Sequence, residues 1–193
     1  QSNKMFEIKK IWDMPVVGES QTFMTGHDEV HSLSQNLDVP NVRFWMGFGD
    51  HYINVFTVLN SIGLLSEQPV TTAEGQEVIP LKVVKACLPD PSSLAPDYTG
   101  KTCIGDLVKG TKDGKETEVL IYNVADHKDA YTEVGSQGIS YTAAMLIATG
   151  EWDVKKMANV EDLPAKPFLN LLNGMGLPTR IKDANGDRAL DFS

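Results

Sequence analysis

Four side chains in this sequence have the chemistry of a small-molecule site: Arg43, Asp126, His127 and Tyr131. Arg43 stands in Val42-Arg-Phe-Trp-Met-Gly-Phe48, among apolar and aromatic neighbours. A guanidinium that ends up partly buried needs an anionic partner, and its planar fork suits a carboxylate. That partner is either a ligand or a structural acid. Asp126 and His127 close the run Glu118-Val-Leu-Ile-Tyr-Asn-Val-Ala-Asp-His127, and Tyr131, Gln137 and Tyr141 follow within the next fourteen positions. A histidine titrates near neutrality and can handle the proton of an amine or carbinolamine. It can equally be a helix-start residue hydrogen-bonded for structure. An arginine gathered with several hydroxyls suits an amino acid or another carboxylate ligand.

The elements that must position these groups are a strand and a helix. Val119 to Tyr122 is a β-rich apolar run and predicts the strand. Asp126 is placed to cap a following helix in which Glu133, Val134, Gln137 and Tyr141 share helical spacing. Gly135, Ser136, Gly138 and Ser140 are small, and a glycine inside a helix costs about 1 kcal/mol relative to alanine. Two glycines so close together mark a place where something approaches the backbone. The carboxyl end of a strand is a usual ligand position in α/β proteins.

Elsewhere the chain alternates strand and helix signals. Met5 to Trp12 leads into a turn-rich connector at Asp13–Gly18, and Ser20 to Thr25 reads as a short strand. His27 to Leu37 reads as a short amphipathic helix with Val30, Leu33 and Leu37 on one face. His27 and His31 share a face at i, i+4, a spacing that can chelate zinc. With no third ligand in view, an exposed or capping pair is expected. Val42 to Phe48 predicts a strand, and Gly49-Asp50 opens a helix over His51–Leu65, with Asp50 as its cap. A helix starting at Pro80 fits proline's tolerance in a first turn. Pro89 to Gly100 is a proline-rich loop. Asp113-Gly114 joins strands at Lys101–Lys109 and Glu116–Val124 as a hairpin. Ala143 to Ala148 is an apolar helix, Pro164 to Gly176 holds another, and a last hairpin surrounds Ala184-Asn-Gly-Asp187.

The 193 residues are 41% hydrophobic, enough for a normal core in one domain. The net charge of −9 argues against a nucleic-acid-binding face. No apolar run approaches the roughly 18 residues of a membrane span, and no signal peptide is present, so a cytoplasmic protein with no membrane partner is expected. Cys87 and Cys103 read as two buried free thiols in a reducing compartment. No metal-ligand spacing appears, so no metal is expected. There is no Gly-x-Gly-x-x-Gly, phosphate loop or nucleophile elbow.

Several blocks resemble one family. Val42-Arg-Phe-Trp-Met-Gly-Phe-Gly, Leu88-Pro-Asp-Pro, Gly100-Lys-Thr-Cys-Ile-Gly, Lys112-Asp-Gly-Lys, Tyr122-Asn-Val-Ala-Asp-His and Gly135-Ser-Gln-Gly-Ile-Ser-Tyr-Thr are similar to the saccharopine dehydrogenase superfamily. Within it they are most similar to the carboxynorspermidine/carboxyspermidine dehydrogenase branch. The resemblance runs from Ile8 to Phe192. It implies an α+β fold, a mixed β-sheet with helices mainly on one face, in the saccharopine-dehydrogenase-like C-terminal domain. About five to seven strands suit a domain of this size. It implies NADPH-dependent reduction of the imine formed from aspartate semialdehyde and a diamine, in polyamine biosynthesis. The alternatives are saccharopine reduction in lysine metabolism and a non-catalytic small-molecule-binding domain.

The resemblance also assigns residues and organisation. It places Arg43 on a substrate carboxylate, Asp126 and His127 near the imine as candidate catalytic groups, and Tyr131, Gln137 and Tyr141 in the substrate site. The cofactor-binding residues stay unknown. It implies a homodimer, formed through an exposed sheet face that needs cover. Residues 1–3 read as a tag remnant and residues 4–193 as the substrate-binding and dimerisation domain. The family's N-terminal Rossmann domain is expected to lie outside this stretch, which alone is expected to be inactive. Relatives carry a Thr-Gly-Val-Pro-like loop after Ser140-Tyr-Thr142, where Thr142 here runs straight into Ala143. Deletion and a mobile segment closed over in the numbering are the two readings, the second being expected for a loop that faces a missing cofactor.

Overall fold

The computed structural model describes residues 6–89, 100–127 and 136–190. Among them are strands β1 (Lys9–Met14), β2 (Gly18–Thr25), β3 (Phe44–Gly47), β4 (Val70–Thr71), β5 (Glu77–Val78), β6 (Gly100–Lys112), β7 (Lys115–His127), β8 (Arg180–Asp183) and β9 (Gly186–Ala189). The helices are α1 (Asp28–Asn36), α2 (Asp50–Ser61), α3 (Pro80–Cys87), α4 (Ser136–Ala148) and α5 (Ala165–Gly174). The class is α+β, as expected. The described strands are shared among three sheets, ordered β1-β2-β3, β4-β5 and β6-β7-β8-β9. Short connections join β1 to β2, β4 to β5, β6 to β7 and β8 to β9, whereas α1 lies between β2 and β3, and α4 and α5 lie between β7 and β8.

The chain groups into two compact units. The first comprises Gln1–Ile11, Gln21–Thr25 and Trp45–Pro96. Its centre is aromatic. Buried Phe23 meets Phe6 edge-on at 5.2 Å, and Phe48, Tyr52 and Phe56 stack in sequence at 5.1 and 4.4 Å. Tyr52 and Phe56 are four residues apart, so α2 aligns them on one face, and Phe48 stacks on Tyr52 from just before the helix. The α2 cap differs from the expected one. Gly49 is the cap residue and Asp50 already lies in the first turn, where its charge still complements the helix dipole. The helix also stops before Leu65. Gly63 takes a φ of +78°, the Gly63 N–H donates to Asn60 O, and the Leu64 N–H donates to Leu59 O. Those two bonds close the end in a Schellman motif. Pro80 opens α3 as expected and is buried.

The second unit comprises Trp12–Ser20, Gly26–Phe44 and Asp97–Ser193. Its long element is the β6–β7 hairpin, in register from Lys112↔Lys115 to Gly100↔His127. Asp113 and Gly114 both take positive φ, +53° and +74°, which matches a two-residue turn to the twist of the strands. Gly105 sits where β7 closes over it. A Cβ there would meet the Leu120 side chain at 3.1 Å and the Tyr122 Cβ at 3.2 Å. Leu146, Trp152, Leu172 and Leu177 form the buried core, with the Trp152 and Phe168 rings stacked at 5.6 Å. The Trp152 indole N–H donates to Pro164 O at 3.1 Å, so the ring's polar handle is satisfied.

The structure corrects several sequence readings. The first strand runs on through Met14, into the expected connector, and β3 covers only Phe44–Gly47 of the expected Val42–Phe48. The apolar helix at Ala143–Ala148 is the second half of α4, which passes through Thr142 and Ala143 without a break. The cysteines are free, but they are not both buried: Cys87 is exposed and Cys103 half-buried. Burial pushes the Cys103 thiol pKa up.

Candidate functional site

Arg43, Asp126, His127, Gln137 and Tyr141 all fall in the second unit. Arg43 lies just before β3, outside the strand that was expected to carry it, and is exposed. Phe44, the next residue, stacks on the His27 ring at 4.2 Å. Tyr141 is 57% exposed on α4. Among the described residues, neither Arg43 nor Tyr141 has a hydrogen-bond or ion-pair partner. An exposed guanidinium and phenol without internal partners keep their full bonding capacity for a ligand.

Asp126 and His127 occupy the end of β7, paired with Lys101 and Gly100 of β6. Asp126 is therefore a strand residue and not the cap of the next helix, which starts at Ser136. The reason is cooperative: β6 offers a backbone partner to every β7 residue as far as His127, so the ladder outcompetes an early turn. Gln137 lies in the first turn of α4. Tyr131, with Glu133, Val134 and Gly135 of the proposed helix start, lies outside the described residues.

The two histidines of α1 are engaged separately. His27 contacts Glu29 and Phe44, whereas the His31 Nε2 faces the Gln35 side-chain nitrogen at 3.1 Å. His27 is the helix-cap residue by backbone but makes no side-chain capping bond. Among the described residues no three His, Cys, Asp or Glu side chains gather as a metal site. None of the described helices is long and apolar enough to cross a membrane.

Sequence reasoning missed a polar network that joins β7, β8 and β9. The Tyr122 hydroxyl donates to Asp187 Oδ2 at 2.6 Å and accepts from Arg180 Nε at 3.0 Å. Arg180 also binds Asp187 through Nη2 at 2.8 Å. Burial and the Asp187 carboxylate push the Tyr122 pKa up. The hydrogen bond from Tyr122, followed by those from Arg180, holds the Asp187 carboxyl below its ordinary value. One residue on, the Asn123 amide donates to Leu177 O and to the Thr179 hydroxyl, both at 3.1 Å. The only sequence signal was a polar Tyr-Asn pair at the end of an apolar strand.

A family profile described as the saccharopine dehydrogenase C-terminal domain matches residues 1–177. The chain belongs to the saccharopine dehydrogenase C-terminal domain family. Carboxynorspermidine synthase of Vibrio alginolyticus is 46% identical over 179 residues, covering 89% of this chain and 43% of that protein. The Vibrio cholerae carboxynorspermidine synthase is 46% identical over 173 residues, 86% of this chain and 42% of that protein. Carboxyaminopropylagmatine dehydrogenase of Synechocystis sp. is 40% identical over 172 residues, 85% of this chain and 43% of that protein. The chain thus spans less than half the length of the curated relatives it matches.

Proposed function

We propose that this family member is the substrate-binding and dimerisation domain of an NADPH-dependent dehydrogenase that reduces the imine of aspartate semialdehyde and a diamine. The observation that carries the reading is the 46% identity, across nearly nine-tenths of the chain, to proteins named carboxynorspermidine synthase. Imine reduction adds a hydride to carbon and a proton to nitrogen, giving a secondary amine. The cofactor supplies the hydride. The described residues do not fit a dinucleotide: none forms a glycine-rich strand-to-helix turn that would cradle a pyrophosphate. In this reading a Rossmann domain outside this sequence binds the cofactor, and no residue here is assigned to it.

In this reading Arg43 anchors the amino-acid carboxylate, while Tyr131, Gln137 and Tyr141 line the substrate site. Asp126 and His127 stand at the imine, where His127 handles the nitrogen proton. Dimerisation uses the open face of the four-stranded sheet. Strand register puts Ile104, Asp106 and Val108 of β6 on one face with Val119 and Ile121 of β7 and Ile181 of β8. Ile104 and Val108 are 47% and 57% exposed, and apolar side chains on an open sheet need cover.

The Synechocystis relative supports a second choice of amine. Its name puts a carboxyaminopropyl group on agmatine, which makes agmatine a further candidate amine. The test is NADPH oxidation by the full-length gene product with aspartate semialdehyde and, in turn, 1,3-diaminopropane, putrescine and agmatine. Aminoadipate semialdehyde with glutamate forms the last arm, and Arg43→Ala is run beside each. Turnover with an amine that collapses in Arg43→Ala supports the reading. Turnover only in the glutamate arm moves the assignment to saccharopine, and none in any arm leaves a binding domain.

A further inference from the structure

The turn that ends α5 holds both elements on which the candidate residues lie. The β7–β8 ladder pairs Leu120, Ile121 and Tyr122 with Lys182, Ile181 and Arg180. Among the described residues, the backbone ladder of β7 beyond Tyr122 continues on the β6 side alone, as far as His127. A strand end held by one neighbour is the kind of segment that opens locally.

Asn123 takes over where the second ladder stops. Its amide nitrogen has two protons, and both are used, on Leu177 O and on the Thr179 hydroxyl. Thr179 is itself fixed. It is 1% exposed, its N–H donates to Asn173 Oδ1 at 2.8 Å, and its carbonyl accepts from the Leu190 N–H at 2.9 Å. From the other side, α4 packs on α5. Thr142 of α4 is fully buried, and its hydroxyl donates to the Met175 sulfur at 3.4 Å. Asn173, Met175, Leu177 and Thr179 belong to one short stretch that caps α5 and leads into β8.

We infer that Asn123 and Thr142 are positioning residues, which tie the end of β7 (Asp126, His127) and the first half of α4 (Gln137, Tyr141) to one rigid anchor, the Asn173–Thr179 turn. The inference rests on the proposed imine reduction for the role of those four residues. The anchor acts by geometry: a displacement of about 1 Å at a reacting group can cost about a hundredfold in rate.

The test uses the full-length gene product, first as wild type on the substrate pairs above. It is then run as Asn123→Ala, Asn123→Asp and Thr142→Val, with amide exchange and steady-state kinetics. Asn123→Asp keeps the side-chain shape while removing both donors, and it serves if Asn123→Ala does not fold. The Asn123 variants should speed exchange at residues 124–127 about tenfold or more, and Thr142→Val should do so at residues 136–141, with α2 unaffected. In the Asn123 variants turnover should fall about tenfold or more while KM for the semialdehyde moves less than about threefold, because Arg43 and the substrate-lining residues of α4 are untouched. In Thr142→Val, which loosens Gln137 and Tyr141, turnover should fall and KM rise together. Unchanged exchange at residues 124–127 would overturn the clamp. A uniform rise across the chain, with turnover falling only as the folded fraction falls, would reduce it to plain stability and overturn positioning. A wild type inactive on every substrate pair removes the reaction itself, a failure visible before any variant is compared.

Discussion

Tyr122 donates its hydroxyl proton to Asp187 at 2.6 Å, across three strands of one sheet. Tyr122 is 2% exposed, and Arg180 closes the triangle by donating to the Tyr122 hydroxyl and to Asp187 Oδ1. The bond joins the middle of the long hairpin to the last strand and makes β7, β8 and β9 one block. Tyr122→Phe keeps the ring and removes two charge-assisted bonds, while Arg180 and Asp187 stay paired. The expected loss is about 1–2 kcal/mol, read as a lower denaturation midpoint without a change in slope.

The same phenol gives the alkaline side a sign. Its pKa is raised in the folded chain, so its contribution is complete below the ordinary tyrosine value and is lost as pH rises through the folded value. Thermal unfolding followed upward from pH 9 should show a steeper loss of stability in the wild type than in Tyr122→Phe. Parallel curves would reject that assignment.

Asp183 sets the acid side. Both its oxygens accept from Arg188 at 2.9 Å, and these bonds, with the Asn185 N–H, hold its pKa at about 2. A depressed carboxyl contributes above its ordinary pKa and loses that contribution as pH falls through the folded value. Between about pH 5 and pH 2 the wild type should therefore lose stability faster than Asp183→Asn. Urea unfolding at fixed pH steps measures this directly.

Asp106 works in the opposite sense. The residue is exposed overall, yet crowding by neighbouring atoms strips water from its carboxyl and raises its pKa. The ionised form is thus disfavoured in the folded chain. Asp106→Asn should raise the melting temperature at pH 7, with the gain vanishing as pH falls below the ordinary aspartate value. Equal melting temperatures at pH 7 would count against it.

The sheet face can be tested for assembly. Val108→Lys puts a charge on an exposed apolar position without touching the described core. In sedimentation, the wild-type full-length protein should run as a dimer and the variant as a monomer, with the unfolding midpoint little changed. A wild-type monomer would remove the dimer reading.

Much of this was written locally. Asp113-Gly114 can adopt the paired positive φ of a tight hairpin at little cost, so the turn and its flanking strands were legible. Pro80 marked the start of α3, and the apolar period around Phe168, Leu169 and Leu172 marked α5. The six blocks from Val42-Arg-Phe-Trp to Ser140-Tyr-Thr142 carried the resemblance to the family, because their order along the chain is far more specific than any one motif.

Tertiary structure decided the rest. Asp126 has the chemistry of a helix cap, yet it is a strand residue, because β6 lies alongside and offers a ladder partner as far as His127. Asn123 looks like an interruption in an apolar run, yet it clamps Thr179 and Leu177, which lie more than fifty residues away. Local spacing encodes which backbone conformations are cheap, and it determined the hairpin and the helices, while the quoted blocks carried the resemblance to the family. Which polar group finds a partner depends on chain segments that meet only after folding, and that decided how the candidate site is held.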